Sequence, residues 1–524
     1  MKYLLSIVLL ALIGVTTPKK TTPAYDWGSV SAKPDLSWAD QVGARRTPEN
    51  TEWDAGKFGL RNDTSVFSTP AIQAAIDACH QQGGGTVVVA PGYYKIGALF
   101  IKSGVNLHLS KGTTLLASDN IQDYPEFPSR IAGIEMTWPS AVINIMDAEN
   151  AALTGEGFID CRGKVFWDKY WAMREEYEKK NLRWIVDYDC KRVRGVLVSN
   201  SKHITLKDFT LVRTGFWACQ ILYSDHCSVS GLTINNNVGG HGPSTDGIDI
   251  DSSTNILVEN CDVDCNDDNI CIKAGRDADG LRVNRPTENV VVRNCIARKG
   301  AGLLTCGSET SGSIRNVLAH DLIAYGTGTT LRLKSSMNRG GTVENIYMTR
   351  VEADSVTHIL SVDLNWNPKY SYSALPKEYE GKDVPEHWTT MLTPVEPKEK
   401  GYPHFRNVYF SHVKADGAKR FISASGWSAS HRIENFYLSN INAEVESVGK
   451  ITYGKNFQLQ DIHLTVKDKS RLRQTDNIDR LITNNSPYRH EALDKAFFML
   501  YICRCEYQWI KGLIKKNEKE TSTI

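Results

Sequence analysis

Asn255-Ile256-Leu257-Val258 and Asn289-Val290-Val291-Val292 are one phrase written twice, 34 residues apart. It returns as Asn316-Val317-Leu318-Ala319, Asn345-Ile346-Tyr347-Met348, Asn407-Val408-Tyr409-Phe410, Asn435-Phe436-Tyr437-Leu438 and Asn456-Phe457-Gln458-Leu459. His203-Ile204-Thr205-Leu206 and His226-Cys227-Ser228-Val229 are earlier versions, with histidine in the first place. Neighbouring copies are mostly 21 to 34 residues apart, and the wider gap from 345 to 407 has room for two. Self-similarity at such a period marks a stacked-repeat architecture. Each copy alternates apolar residues, as a strand with one buried face does. Parallel strands joined by βαβ crossovers need long amphipathic helices between them, and no such helix is evident between the copies. A parallel β-helix needs none, because each coil buries its inward side chains against the coils above and below. Asn at a fixed place suits a turn, where it tolerates a left-handed backbone, and stacked Asn side chains can bond to one another. The expected fold is all-β, a single right-handed parallel β-helix of about ten coils, over residues 57–466.

Working outward, Pro70 to Gln82 reads as one helix with an apolar face of Ile72, Ala75, Ile76 and Cys79, ended by Gly83-Gly84-Gly85. It suits a cap on the open N-terminal end of the solenoid. The Pro-rich stretch from Asn367 to Pro403 interrupts the coils and reads as a long surface loop. Residues 18–56 form a lead, and 467–524 a tail that loses the repeat and has no assigned role. At the front, Lys2 precedes an apolar stretch, Tyr3 to Val15, too short to span a bilayer. Residues 1–17 therefore read as a secretory signal, which implies a secreted or periplasmic protein. No later run is apolar enough to cross a membrane. Against 60 Asp and Glu stand 61 Lys and Arg, a net charge of +1 that excludes a chain built to coat nucleic acid or an anionic membrane. Twelve cysteines among 524 residues are too dilute for a disulfide scaffold. Cys261/Cys265 and Cys503/Cys505 lack CxxC spacing, so a zinc site is not expected.

Asp246-Gly247-Ile248-Asp249-Ile250-Asp251 and Asp268-Asn269-Ile270-Cys271-Ile272-Lys273 are offset by 22 residues, one coil. In that register Ile248 stacks on Ile270 and Ile250 on Ile272. Asp246 then lies beside Asp268, on strands ~4.8 Å apart, with Asp267 adjacent. Crowded carboxylates repel, so at least one keeps its proton near neutral pH. A protonated acid beside ionised carboxylates is what cleavage of a glycosidic bond requires. A calcium site, or solvated Asp at coil turns, fits the same residues. In Arg332-Leu333-Lys334 the two cations share one face of a strand. They suit a substrate that carries a carboxylate, or an ion-pair network among coils.

These residues resemble the polygalacturonases of glycoside hydrolase family twenty-eight, bacterial members in particular. The resemblance runs from about Lys57 to Val466 and is densest from Ser244 to Arg350. Ser244-Thr245-Asp246 is similar to the family's Asn-Thr-Asp, Asp267-Asp268 to its Asp-Asp, and Arg332-Leu333-Lys334 to its Arg-Ile-Lys. Thr305-Cys306-Gly307-Ser308-Glu309 also resembles bacterial members. The resemblance implies an inverting hydrolase of α-linked galacturonic acid in pectin, with a pectic polysaccharide or oligosaccharide as its partner and no metal or other cofactor. It implies Asp267 as the acid that protonates the leaving oxygen, with Asp246 and Asp268 holding and deprotonating water. Arg332 and Lys334 would bind the substrate carboxylate at the cleavage point, and Trp366 would wall the sugar site or else pack in the core. One motif departs: Gly300-Ala301-Gly302 stands where the family has Gly-His-Gly, which gives weight to rhamnogalacturonan as substrate. Gly240-His241-Gly242 lies on the preceding coil, leaving His241 as a substrate-binding candidate or a plain loop histidine. A pectate-lyase-like enzyme using calcium and a non-catalytic carbohydrate-binding solenoid are the competing readings. An insertion as long as 367–403 beside a cleft would close it, which favours attack at chain ends.

Overall fold

The structure is a computed structural model that describes residues 25–28 and 34–468, and the backbone of 473–474 and 481–484. The signal expected at 1–17 and most of the 467–524 tail lie outside the described residues.

At each repeat phrase the Asn adopts a left-handed backbone, with φ of 58° at Asn255, Asn289, Asn407 and Asn435 and 57° at Asn316 and Asn345. Asn is among the few residues that occupy this region at little steric cost, and the bend turns the chain round a corner of the coil. Asn255 donates its Nδ2 to Asp225, and from Asn289 onward each side chain donates its Nδ2 to the Oδ1 of the Asn one coil earlier. This ladder runs unbroken from Asn289 on Asn255 to Asn456 on Asn435, at 2.8 to 3.2 Å. Above it stand His226 and His203, also left-handed, with ring centroids 5.2 Å apart.

Asn407 bonds directly to Asn345, and the strands Thr342–Asp354 and His404–Ser425 are neighbours. The gap expected to hold two coils therefore holds one, because residues 364–403 leave the sheet after Asp363 and return at His404 without adding a rung.

The molecule is a right-handed parallel β-helix. Along one face the described residues form a ladder of twelve rungs, from Leu99–Ile101 to Arg473–Gln474. Ile248, Ile270, Leu304, Leu331, Leu360 and Ile422 stack inward in register along it, all buried. Burying an aliphatic side chain of this size stabilises by about 1.5–3 kcal/mol, so the column is a large part of what holds neighbouring coils together. The helix Thr69–Gln81 caps the first coils with Ile72, Ala75, Ile76 and Cys79. Parallel pairing begins at Glu52–Asp54, ahead of residue 57, and continues past 466 through 473–474 and 481–484.

The lead runs along the outside of the solenoid: Tyr25, Trp27 and Gly28 step toward the C-terminal coils, and residues 43–46 lie on earlier ones. Gly28 sits against Ser439 and Gln460, Trp27 packs on Tyr347 and Tyr409, the Gly43 amide donates to the Asn255 carbonyl at 2.8 Å, and Arg46 pairs with Glu149.

Three segments stand off the solenoid: the antiparallel hairpin Glu126–Ile131/Ile134–Pro139, the helices Lys164–Lys179 and Val186–Asp189, and residues 364–403. The 16-residue helix Lys164–Lys179 precedes the first repeat phrase at His203, and the helices between the copies are short, as expected. Residues 367–403 are more than a surface loop. Their Trp388 and Met391 join Ile131, Trp138, Leu182, Trp184 and Tyr188 in a second core, where large apolar side chains from all three segments bury one another.

Replacing Asn316 by Ala removes one ladder bond above and one below and places a less tolerant residue in the left-handed region. The expected loss is about 1–3 kcal/mol, read from the urea midpoint. Asn316→Gly, which relieves only the backbone, should recover part of it.

Candidate active site

Four neighbouring coils build the site, through the strands Ile248–Asp251, Asp268–Lys273, Gly302–Cys306 and Thr329–Lys334. The register is the expected one, Ile248 on Ile270 and Ile250 on Ile272. It requires glycine at 247, where a Cβ would stand 2.4 Å from the Asn269 carbonyl oxygen. Carboxylate oxygens of Asp246 and Asp268 come within 4.8 Å of each other.

Asp268 is fully buried and fully engaged. Its Oδ1 accepts from the Thr305 hydroxyl at 2.8 Å and from Arg332 Nη1 at 3.2 Å; its Oδ2 accepts from Lys334 Nζ at 2.7 Å. Burial alone would raise its carboxyl, but Lys334 and Arg332 overcome it and hold the group ionised, well below the usual range. Asp246 behaves in the opposite way. Burial first, and the charge of Asp267 second, push its carboxyl up to about 8, with Lys273 Nζ at 3.4 Å a partial offset. Asp267 is also raised, by burial and then by Asp268. It is the more exposed of the pair, and its Oδ1 accepts the Asp268 backbone N–H at 2.9 Å. Near neutral pH the trio thus combines one fixed anion with two carboxyls that compete for protons.

Arg332 and Lys334 stand beside these acids as expected. Lys334 is nearly buried, whereas the Arg332 side chain retains 19% exposure. The Trp366 ring covers both, 4.3 Å from Lys334 Nζ and 5.7 Å from the Arg332 guanidinium carbon. Trp366 lines the cavity with Asp246, Asp267 and Lys334. His241 does not join them. It is exposed, its ring stacks on Trp171 at 5.3 Å, and its carbonyl accepts from the Trp171 indole at 2.8 Å. At Ala301 the backbone N–H donates to the Asp267 carbonyl at 2.8 Å, so a methyl group stands beside the acid where the family motif has histidine.

Sequence reasoning left several participants without a role. Lys273 lies 3.3 to 3.5 Å from Asp246, Asp249 and Glu309, with the Trp217 ring 4.9 Å away. Asp249 is fully buried and neither oxygen has a hydrogen-bond partner among the described residues; burial and then Asp246 raise it well above the usual range, so it stands neutral. Glu309 accepts from the Ser308 hydroxyl, and although burial opposes it, Lys273 and Arg339 hold its carboxyl down at about 2. A signal existed for each: Asp249 and Lys273 alternate with the inward isoleucines, and Glu309 closes the Thr305–Glu309 phrase. Asp246, Asp268 and the Cys271 thiol are close enough to share a metal ion. A cation there would have to displace Lys334 from Asp268 and ionise a thiol that burial raises far above its ordinary value. The donor set does not fit one.

The family model described as "Glycosyl hydrolases family 28" matches residues 88–379, more than half of the chain. A probable polygalacturonase of Vitis vinifera is 29% identical over 302 residues, 56% of this chain and 58% of its own length. An exo-poly-alpha-D-galacturonosidase of Dickeya chrysanthemi is 28% identical, covering 55% of this chain and 53% of its own. The chain thus spans little more than half the length of these two relatives. Among solved structures, the exopolygalacturonase of Thermotoga maritima superposes with a TM-score of 0.62 at 23% identity, over 86% of this chain and 96% of that one. That likeness is one of fold.

The raised Asp246 carboxyl carries a sign. Folding raises its proton affinity from 3.8 to about 8, so the native state binds more protons than the unfolded state across that window. Its contribution is present at low pH and lost as pH rises through that window. Asp246→Asn should therefore flatten the pH dependence, gaining on the wild type in urea midpoint between pH 5 and pH 8.5. A constant offset at both pH values would show that Asp246 ionises freely.

Proposed function

Because the chain belongs to glycosyl hydrolase family 28, we propose that it is an inverting glycosidase that cleaves α-linked galacturonic acid in pectin. The observation that carries this reading is the split of one carboxylate cluster into a fixed anion, Asp268, and two proton-holding groups, Asp246 and Asp267. Asp267, the member most open to the cavity, gives its proton to the glycosidic oxygen as the bond to the anomeric carbon breaks and that oxygen keeps the bonding pair. Asp246 and Asp268 lie close enough to hold one water between them, whose oxygen attacks the anomeric carbon from the other face while its proton passes to the pair. Arg332, and Lys334 beside it, draw the uronate carboxylate in under Trp366.

The supporting case for attack at chain ends is the second core. The hairpin, the Val186–Asp189 helix and the 386–392 helical turn pack together beside the acids and place Ala132, Asp187 and Tyr370 in the cavity wall. A groove open at both ends would need these segments elsewhere. The reading of residues 1–17 as a secretory signal supports a location outside the cytoplasm, where pectin is met. Among the described residues no helix is long and apolar enough to cross a membrane.

Product analysis on polygalacturonate tests the reaction: saturated reducing ends of inverted configuration are expected, whereas an unsaturated sugar would make the enzyme a lyase. Asp267→Asn should keep its melting temperature and lose about 10²–10⁴-fold in turnover; near-wild-type activity refutes its role as acid. Viscosity of a pectate solution should fall slowly relative to reducing ends formed. A collapse at low conversion would mean internal cleavage.

A further inference from the structure

The cavity wall holds a cation that lies outside the repeat and its motifs. Arg183 sits between the helices Lys164–Lys179 and Val186–Asp189, on a segment pinned by the buried Leu182 and Trp184 on either side of it. It lines the cavity and keeps 14% of its side chain exposed. Its Nη1 donates to Asp187 Oδ2 at 2.7 Å, and among the described residues Asp187 is its one hydrogen-bond acceptor.

Asp187 is not Arg183's alone. It also accepts from Arg192 at 3.1 Å and from the Ser244 hydroxyl at 2.9 Å. Arg192 is fully buried between the rings of Tyr170 and Phe216 and also donates to the Pro243 and Cys190 carbonyls. Two guanidiniums therefore share one carboxylate, and the surplus positive charge sits on the member that faces the cavity. Arg332, Lys334 and Asp268 form a second cluster of the same net sign.

These clusters lie at different levels along the solenoid axis, the first beside the coil of Asp246 and the second beyond that of Asp268. Ser244, which ties down the first, precedes Asp246 on its own coil; Asp267 and Asp268 are on the next coil, and Arg332 and Lys334 are two coils beyond that. Two rings bridge the cations across the cavity. Tyr370 is 5.0 Å from the Arg183 guanidinium carbon, Trp366 meets Tyr370 edge-on at 5.6 Å, and Lys334 Nζ is 4.3 Å from Trp366.

We propose that Arg183 binds the carboxylate of the sugar on the far side of the scissile bond from Arg332, so that the enzyme requires a uronate on both sides of the bond it cleaves. This rests on the glycosidase reading above and narrows it. A planar guanidinium with unused donors presents the fork that matches a carboxylate. A neutral neighbour, such as the deoxyhexose that alternates with galacturonate in rhamnogalacturonan, would leave that surplus charge unanswered.

The test uses digalacturonic acid and its two monomethyl esters, one blocked on each sugar, with the wild type, Arg183→Gln and Arg332→Gln. Each variant should lose roughly tenfold to hundredfold in kcat/KM on the diacid, the size of a hydrogen bond to a charged group. The losses should be crossed: for Arg183→Gln the loss shrinks on one ester, for Arg332→Gln on the other. Asp187 keeps Arg192 and Ser244, so Arg183→Gln should fold, as its melting temperature will show. Arg183→Lys, which keeps the cation, should recover part of the rate, and it carries the same test if the Gln variant melts early. Wild-type rates for Arg183→Gln on the diacid, or an equal loss on all three substrates, overturn the assignment of Arg183 alone. A wild type that leaves the diacid intact refutes the glycosidase reading and this inference with it.

Discussion

The left-handed bend at each repeat Asn, tied to the next by a side-chain hydrogen bond, is the constraint on which the structure depends. It fixes where every coil turns, and therefore which residues of successive coils lie side by side. A slip of one residue would send every inward side chain to the opposite face. The ladder from Asn255 to Asn456 makes such a slip expensive, because each amide would lose partners both above and below. The geometry of the candidate site inherits this precision: Asp246, Asp268, Thr305 and Arg332 meet because their coils are held in one register.

Fixing the register brings like charges together, and the solenoid resolves the conflict locally. Lys334 and Arg332 keep Asp268 ionised, Lys273 is shared among three carboxyls, and Asp249 gives up its charge. Isolated charges buried this deeply would be strongly destabilising. Here each is either paired or neutralised by a proton.

Much of this was legible in the chain. The repeat phrase gave the fold class, and the 22-residue offset between Asp246 and Asp268 gave the heart of the site, because in a solenoid sequence period and spatial neighbourhood are the same thing. What could not be read lies where that identity fails. The width of the 345–407 gap suggested two coils, since length alone does not separate a rung from an excursion. The helix Lys164–Lys179 did leave a trace, in its i,i+4 ion pairs Lys164–Asp168, Arg174–Glu178 and Glu175–Lys179, yet nothing in its sequence says where it docks. Arg183 escaped for the same reason: its partner Asp187 is near in sequence, but its place beside Asp246 depends on how three excursions pack together. His241 shows the converse, a motif-like triplet five residues from an acid whose ring is engaged by Trp171 instead.

The lead has a consequence for the order of assembly. Trp27 rests on Tyr347 and Tyr409, and Gly28 on Ser439 and Gln460, so these residues have no surface to dock on until the far end of the chain has coiled. In a chain made from its N-terminus, the earliest part to emerge is thus the last to find its place. Solenoid coils otherwise add one at a time with only nearest-neighbour contacts. This strap gives the molecule contacts of nearly the full sequence separation, which slow its completion and couple loosening at one end to the release of the other.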